Sequence, residues 1–145
     1  MSTEPRQASQ FPVGPLVASI GAVLLVVSLF LDWYDQITGF TVFEFLDLLL
    51  VMLALATIAS LVGGLGVVRT APSAGVSLGV AIFTVLVVTS QVVNDPPAVA
   101  GEMGPGKDIG IWLALAGSGL MVVGALLAYA RISLAVEARR RPDEP

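Results

Sequence analysis

Four uncharged apolar runs, at residues 13–31, 48–68, 74–93 and 109–130, constrain this chain more than any other feature. They hold 19, 21, 20 and 22 residues without one Asp, Glu, Lys or Arg. Wound as α-helices at 1.5 Å per residue, they reach roughly 28 to 33 Å, the thickness of the hydrocarbon core of a bilayer. The runs take up 82 of 145 residues, and only 12% of the chain is charged, where a soluble domain carries about a quarter. What remains is a leader at 1–12, three loops and a basic tail at 131–145, which leaves no room for a soluble domain. The expected fold is an all-α integral membrane four-helix bundle made of two transmembrane hairpins.

The first run reads as a retained span and not as a cleaved signal. Its leader sets Arg6 against Glu4, the apolar stretch exceeds the ~7 to 15 residues of a signal core, and it ends in Phe30-Leu31-Asp32-Trp33-Tyr34 instead of small residues.

Basic residues set the expected orientation. Arg6 precedes the first run, Arg69 sits between the second and third, and Arg131, Arg139, Arg140 and Arg141 follow the fourth. Only Lys107 falls on the opposite side. The positive-inside rule then puts both termini in the cytoplasm of a multi-pass protein of the cell membrane. Residues 131–141 lack Gly and Pro, so the fourth helix is expected to continue past the bilayer. Its arginines lie at the level of anionic headgroups and serve as a stop-transfer and topology signal.

Aromatic residues follow the same frame. Trp33 and Tyr34 close the first run, Trp112 opens the fourth and Tyr129 marks its inner boundary. Rings with an apolar body and a polar edge prefer the headgroup level, so these four are expected as interface anchors.

The composition removes whole classes of chemistry. The chain has no Cys and no His, so disulfides, thiolate nucleophiles, imidazole bases and the usual zinc and haem ligand sets are excluded. No basic patch calls for nucleic acid. No ionisable residue lies near the middle of any run, which disfavours a coupled transporter or pump. The first span lacks the embedded glutamate of the small multidrug transporters, and the outer loops lack the paired cysteines and Gly-Leu-Trp motif of claudins. No enzyme activity and no cofactor are expected.

Helix association in lipid relies on small residues, and these mark the expected packing faces. Ala18 and Ala22, Ser60 and Gly64, Gly75 and Gly79, and Gly124 and Ala128 are each spaced four apart. Gly75 and Gly79 in particular are expected to bring the third span close to a neighbour.

The remaining candidate site is the outer carboxylate cluster Asp32, Asp35, Glu44 and Asp47. Four carboxylates at one depth can hold a hard cation such as calcium or magnesium. The preferred reading assigns no metal: Glu44 and Asp47 form a solvated cap at the start of the second span, where negative charge meets the positive end of the helix dipole.

The segments Ser28-Leu29-Phe30-Leu31-Asp32-Trp33-Tyr34, Gly39-Phe40-Thr41-Val42-Phe43-Glu44-Phe45, Asp47-Leu48-Leu49-Leu50 and Gly110-Ile111-Trp112-Leu113-Ala114-Leu115-Ala116-Gly117 resemble small four-span membrane proteins of actinobacterial type. Asp32 stands where that family often has Pro. The resemblance spans nearly the whole chain and implies a fold and no activity. The functional expectation is a structural or accessory membrane component whose partners are the lipid bilayer and either itself or another membrane protein. The alternative is a small oligomeric channel or carrier with its path between protomers.

Overall fold

The structure is a computed structural model that describes residues 13–34, 37–42, 45–65, 72–94 and 106–140, with side chains described for all of these except 41, 42, 64 and 132–140. Among the described residues the regular structure is helical except for one short ribbon and an isolated bridge. The order is α1 (Val13–Ser28), β1 (Asp32–Tyr34), β2 (Ile37–Thr38), the single turn α2 (Gly39–Val42), α3 (Leu46–Gly64), α4 (Ala74–Val93) and α5 (Ile109–Arg140). Three stretches, Leu46–Gly63, Ala74–Val93 and Ile109–Arg131, are long and apolar enough to cross a membrane. The fourth long helix, α1, is apolar but has only 16 residues.

The difference from the expected span at 13–31 has a local cause. After Ser28 the backbone tightens into turns, with Leu29, Phe30 and Leu31 donating their N–H groups to the carbonyls of Val26, Val27 and Ser28 at 3.2, 3.1 and 3.1 Å. Bonds to the third residue back are a common way to close a helix end. The chain then turns into β1, which pairs antiparallel with β2. The connection between the first two runs therefore contains a ribbon, where the sequence suggested only a loop.

The four long helices form a ring. α1 lies between α5 and α3, and α4 closes the ring between α5 and α3. The tightest seam joins α1 to α5, and the sparsest joins α3 to α4. α1 and α5 run antiparallel: Gly14 faces Gly124 and Ala128, Gly21 faces Gly117 and Met121, and Asp32 and Trp33 face Gly110. Glycine is required along this seam. A Cβ on Gly14 would stand 2.6 Å from the backbone nitrogen of Ala128, and one on Gly117 would stand 2.7 Å from the carbonyl oxygen of Gly21. A Cβ on Gly124 would collide with the backbone nitrogen of Ala18. Missing side chains thus let two backbones touch, which maximises dispersion contact where the surroundings offer no hydrophobic force.

Gly75 and Gly79 behave oppositely. Both are exposed, and a Cβ at either would meet nothing within 4 Å. The expected packing role fails because α4 turns the face carrying Ala81, Thr84 and Val88 into the bundle. Residues 75 and 79 lie on the opposite face, as the helical period requires. Gly64 lies at the end of α3, and its packing is outside the described residues.

The core runs as a column of Ala22, Leu25, Leu29, Leu50, Ala54, Val88, Ile111, Ala114 and Met121. Large apolar residues such as Ile20, Val23, Met52, Leu55, Phe83, Leu86, Val123 and Leu126 point outward. A helix that is apolar on every face suits lipid surroundings and not water. At 32 residues α5 is roughly 48 Å long and outruns a ~30 Å hydrocarbon layer, so its expected extension through Arg139 and Arg140 is present as helix.

Candidate functional site

The two ends of the bundle are built differently. One end holds Ser28, Leu46, Val93 and Ile109 and is closed by aromatic side chains; the other holds Val13, Ala74 and Arg131 and contains a cleft.

At the aromatic end, Trp33 and Tyr34 are fully buried. This corrects their expected role as anchors at a lipid interface. The indole Nε1–H of Trp33 donates to the carbonyl of Ser28 at 2.8 Å, and the Tyr34 hydroxyl donates to the carbonyl of Gln91 at 2.5 Å. Each ring therefore adds a donor to a carbonyl in the last turn of a helix, that of α1, which also takes the Leu31 N–H, and that of α4. The seat is made by glycine: a Cβ on Gly39 would lie 3.0 Å from the Trp33 Nε1, and one on Gly110 would lie 2.6 Å from the Trp33 Cδ1. Beside the seat, Asp108 donates its N–H to the Trp33 carbonyl at 3.0 Å, and Tyr34 forms an antiparallel bridge with Lys107. Trp112 and Tyr129, at 52% and 49% exposure, do face outward.

Two of the four outer carboxylates are described. Asp32 is half-buried in β1, while Asp35 and Glu44 lie outside the described residues. Asp47 is not a solvated cap. The cap position of α3 is Phe45, with no side-chain hydrogen bond, and Asp47 is only 6% exposed with its Oδ1 lacking a hydrogen-bond partner. The spacing of Asp47, Leu50, Ala54 and Thr57 explains this, because all four are buried on one face of α3. Among the described residues no three carboxylates gather as a metal-binding group. Of the topology residues, Arg131 is exposed on α5, Arg139 and Arg140 close that helix, and Arg69 and Arg141 lie outside the described residues.

At the other end, a cleft of about 210 Å³ lies where all four long helices meet. α1 contributes Pro15 and Ala18, α3 contributes Thr57 and Ser60, Pro72 precedes α4 with its Ala74 and Ser77, and α5 contributes Gly124, Ala125 and Ala128. The walls are small and apolar apart from three hydroxyls. Thr57 donates to the Leu53 carbonyl at 3.0 Å, while Ser60 and Ser77 share a hydrogen bond of 3.0 Å across the α3–α4 seam. A second cavity of about 50 Å³ shares Thr57, Ser60, Pro72 and Ser77 and continues toward the outward-facing Ala56 and Val76. Small residues leave this space because α1 and α5 are drawn together by their glycines while α3 and α4 have no comparable contact. The sequence marked Ser60 and Gly124 as packing residues but not the space between them. The signal available was the run of Pro15, Ala18, Ser60, Pro72, Ala74, Ser77, Gly124 and Ala128, small or ring-limited residues all near one end of their helices.

Comparison with known proteins finds no matching family, no matching curated sequence and no matching solved structure.

Proposed function

We propose that this chain is a structural or accessory component of the cell membrane, a four-span bundle with both termini in the cytoplasm. The observation that carries this reading is an interior whose polar groups are not linked from end to end. Of the six buried polar residues among those described, Ser28, Thr57, Thr84 and Ser118 each donate to a carbonyl of their own helix, at 2.6, 3.0, 2.8 and 3.0 Å, while the Ser19 Oγ and the Asp47 Oδ1 have no hydrogen-bond partner. Hydroxyls satisfied within one helix form no relay from end to end. A proton or ion path uses ionisable or connected polar groups, and the Trp33 and Tyr34 seat closes the aromatic end. The short-motif resemblance to small four-span proteins supports the same architecture, with α1 extended across the bilayer by the turns and ribbon that follow it.

Orientation is tested with single cysteines, which the chain lacks. A membrane-impermeant thiol reagent applied to intact cells labels Asn94→Cys and leaves Ser73→Cys unlabelled. Both positions are exposed at opposite ends of α4. Labelling of Ser73→Cys from outside reverses the topology. Ion or solute flux through liposomes holding the purified protein would replace the structural reading with the channel reading.

A further inference from the structure

The turn that follows α1 turns its apolar surface outward. Val13, Leu16, Ile20, Val23 and Val27 form an exposed stripe along α1 at helical spacing, and Phe30 continues that stripe past the end of the helix at 67% exposure. Phe40, on α2, meets the Phe30 ring edge to face at 4.9 Å between centroids and is itself 42% exposed. Scattered apolar residues are ordinary on a surface, but two stacked phenyl rings continuing a long apolar stripe form a patch that calls for an apolar neighbour.

The backbone beneath the pair is closed. Leu29, Phe30 and Leu31 donate their N–H groups to the last turn of α1, and Gly39 and Phe40 donate theirs to the carbonyls of Leu31 and Leu29, both at 3.3 Å. Non-helical backbone is costly in lipid unless its polar groups pair within the protein, so this turn meets the condition for entering the edge of a hydrocarbon layer. The length of α1 asks for such an entry. Its 16 residues reach about 24 Å, roughly 6 Å short of a ~30 Å layer.

Markers of depth agree. Gly110 faces Asp32 and Trp33, and the outward-facing Trp112 stands two residues, about 3 Å, deeper along α5. Phe30 likewise precedes Asp32 by two residues on the bundle side, so the rings and the Trp112 indole lie near one level, that of an aromatic belt. The charged residues Asp32, Lys107 and Asp108 stand at the Gly110 level or beyond it, away from the bundle centre.

We propose that the turn after α1 and the start of α2 are inserted into the leaflet at the aromatic end, with the Phe30 and Phe40 rings at the boundary between acyl chains and glycerol of a phospholipid bilayer. The inference rests on the membrane reading above and adds to it a lipid contact in a connection that the sequence placed among solvated carboxylates. Continuity with the lipid-facing stripe of α1 favours a bilayer over a protein partner.

The test uses the full chain in phosphatidylcholine liposomes, with a single spin-labelled cysteine from Phe30→Cys, Phe40→Cys, Leu55→Cys or Asn94→Cys. Leu55 is exposed midway along α3, and Asn94 is exposed at the end of α4. Collisions with oxygen report hydrocarbon, and collisions with a water-soluble nickel chelate report water. The oxygen-to-chelate ratio at Phe30 and Phe40 is expected to be shifted from that of Asn94 toward that of Leu55. Phe30→Trp, which keeps an aromatic ring at the site, is the second variant: its added fluorescence is expected to be quenched by phospholipid brominated near the ester end of the chains and not by aqueous acrylamide. Ratios at Phe30 and Phe40 equal to that at Asn94, or quenching of Phe30→Trp from water alone, would overturn the insertion. Protection that disappears when the protein is diluted in lipid would assign the rings to a second copy instead. The Leu55 label separates the two levels: if it is shielded from the chelate while Phe30 and Phe40 are not, this inference alone fails, whereas a chelate-accessible Leu55 defeats the membrane reading as well.

Discussion

The α1–α5 seam and the α3–α4 seam are built from similar residue types and packed in opposite ways. Gly14, Gly21, Gly117 and Gly124 place two backbones in direct contact, whereas Gly75 and Gly79 on α4 face outward with nothing near them. Between α3 and α4 the described polar contact is the Ser60–Ser77 hydrogen bond, with cavities around it. A small residue is thus a contact only where the facing helix also presents one at the same height. Gly14 and Gly21, seven apart, meet Gly117 and Gly124, also seven apart, in antiparallel order. The consequence is one pair in backbone contact and one pair with cavities beside it.

That contrast is open to substitution, measured as unfolding free energy or thermal midpoint in detergent. The largest effect is expected from Gly124→Leu, whose side chain would enter the backbone of α1 at Ala18, with a loss of about 3 kcal/mol or more. A near-neutral result would mean that the two backbones are not in contact. Next comes Trp33→Phe, which keeps the ring in its seat but removes the Nε1–H that reaches Ser28, leaving that carbonyl with the Leu31 N–H alone at a cost of about 0.5 to 1.5 kcal/mol. Asp47→Asn is expected to change stability in the favourable direction by roughly 1 kcal/mol, because a buried carboxylate oxygen without a partner is replaced by a neutral amide. Destabilisation would return Asp47 to the capping role its position first suggested.

Smaller effects sharpen the loose side. Ser60→Ala removes the seam's hydrogen bond and is expected to cost about 0.6 kcal/mol, the average for such bonds between membrane helices. Gly79→Ile is expected to stay within about 0.5 kcal/mol of wild type, since its Cβ enters open space. If Gly79→Ile were as damaging as Gly124→Leu, the outward face of α4 would be packed against a neighbour.

Part of the fold was legible without coordinates because it depends on local composition. Long uncharged runs dictate helices, and the absence of Gly and Pro from residues 131–141 predicts the extension of α5 to Arg140. The site was legible only in fragments. Ser60 and Gly124 were identifiable as small residues suited to packing, and both line the cleft. Trp33 and Tyr34 were misread, because an aromatic pair at the end of an apolar run has the same sequence whether it faces headgroups or folds back over the bundle. Gly39 and Gly110 decide between those outcomes by making room for the indole, and they are 6 and 77 residues away from Trp33.

The sequence by itself determined that this chain is built of apolar helices, roughly where along the chain they lie, and which chemistries its missing Cys and His forbid. These properties follow from hydropathy and residue identity, which are local. Only the tertiary structure decided which glycines touch, that Asp47 and the Trp33–Tyr34 pair turn inward, and that a cleft opens where the four long helices meet. In an apolar helix nearly every face can meet either lipid or protein, so hydropathy does not select the buried side. The choice falls to the shape match between helices distant in sequence.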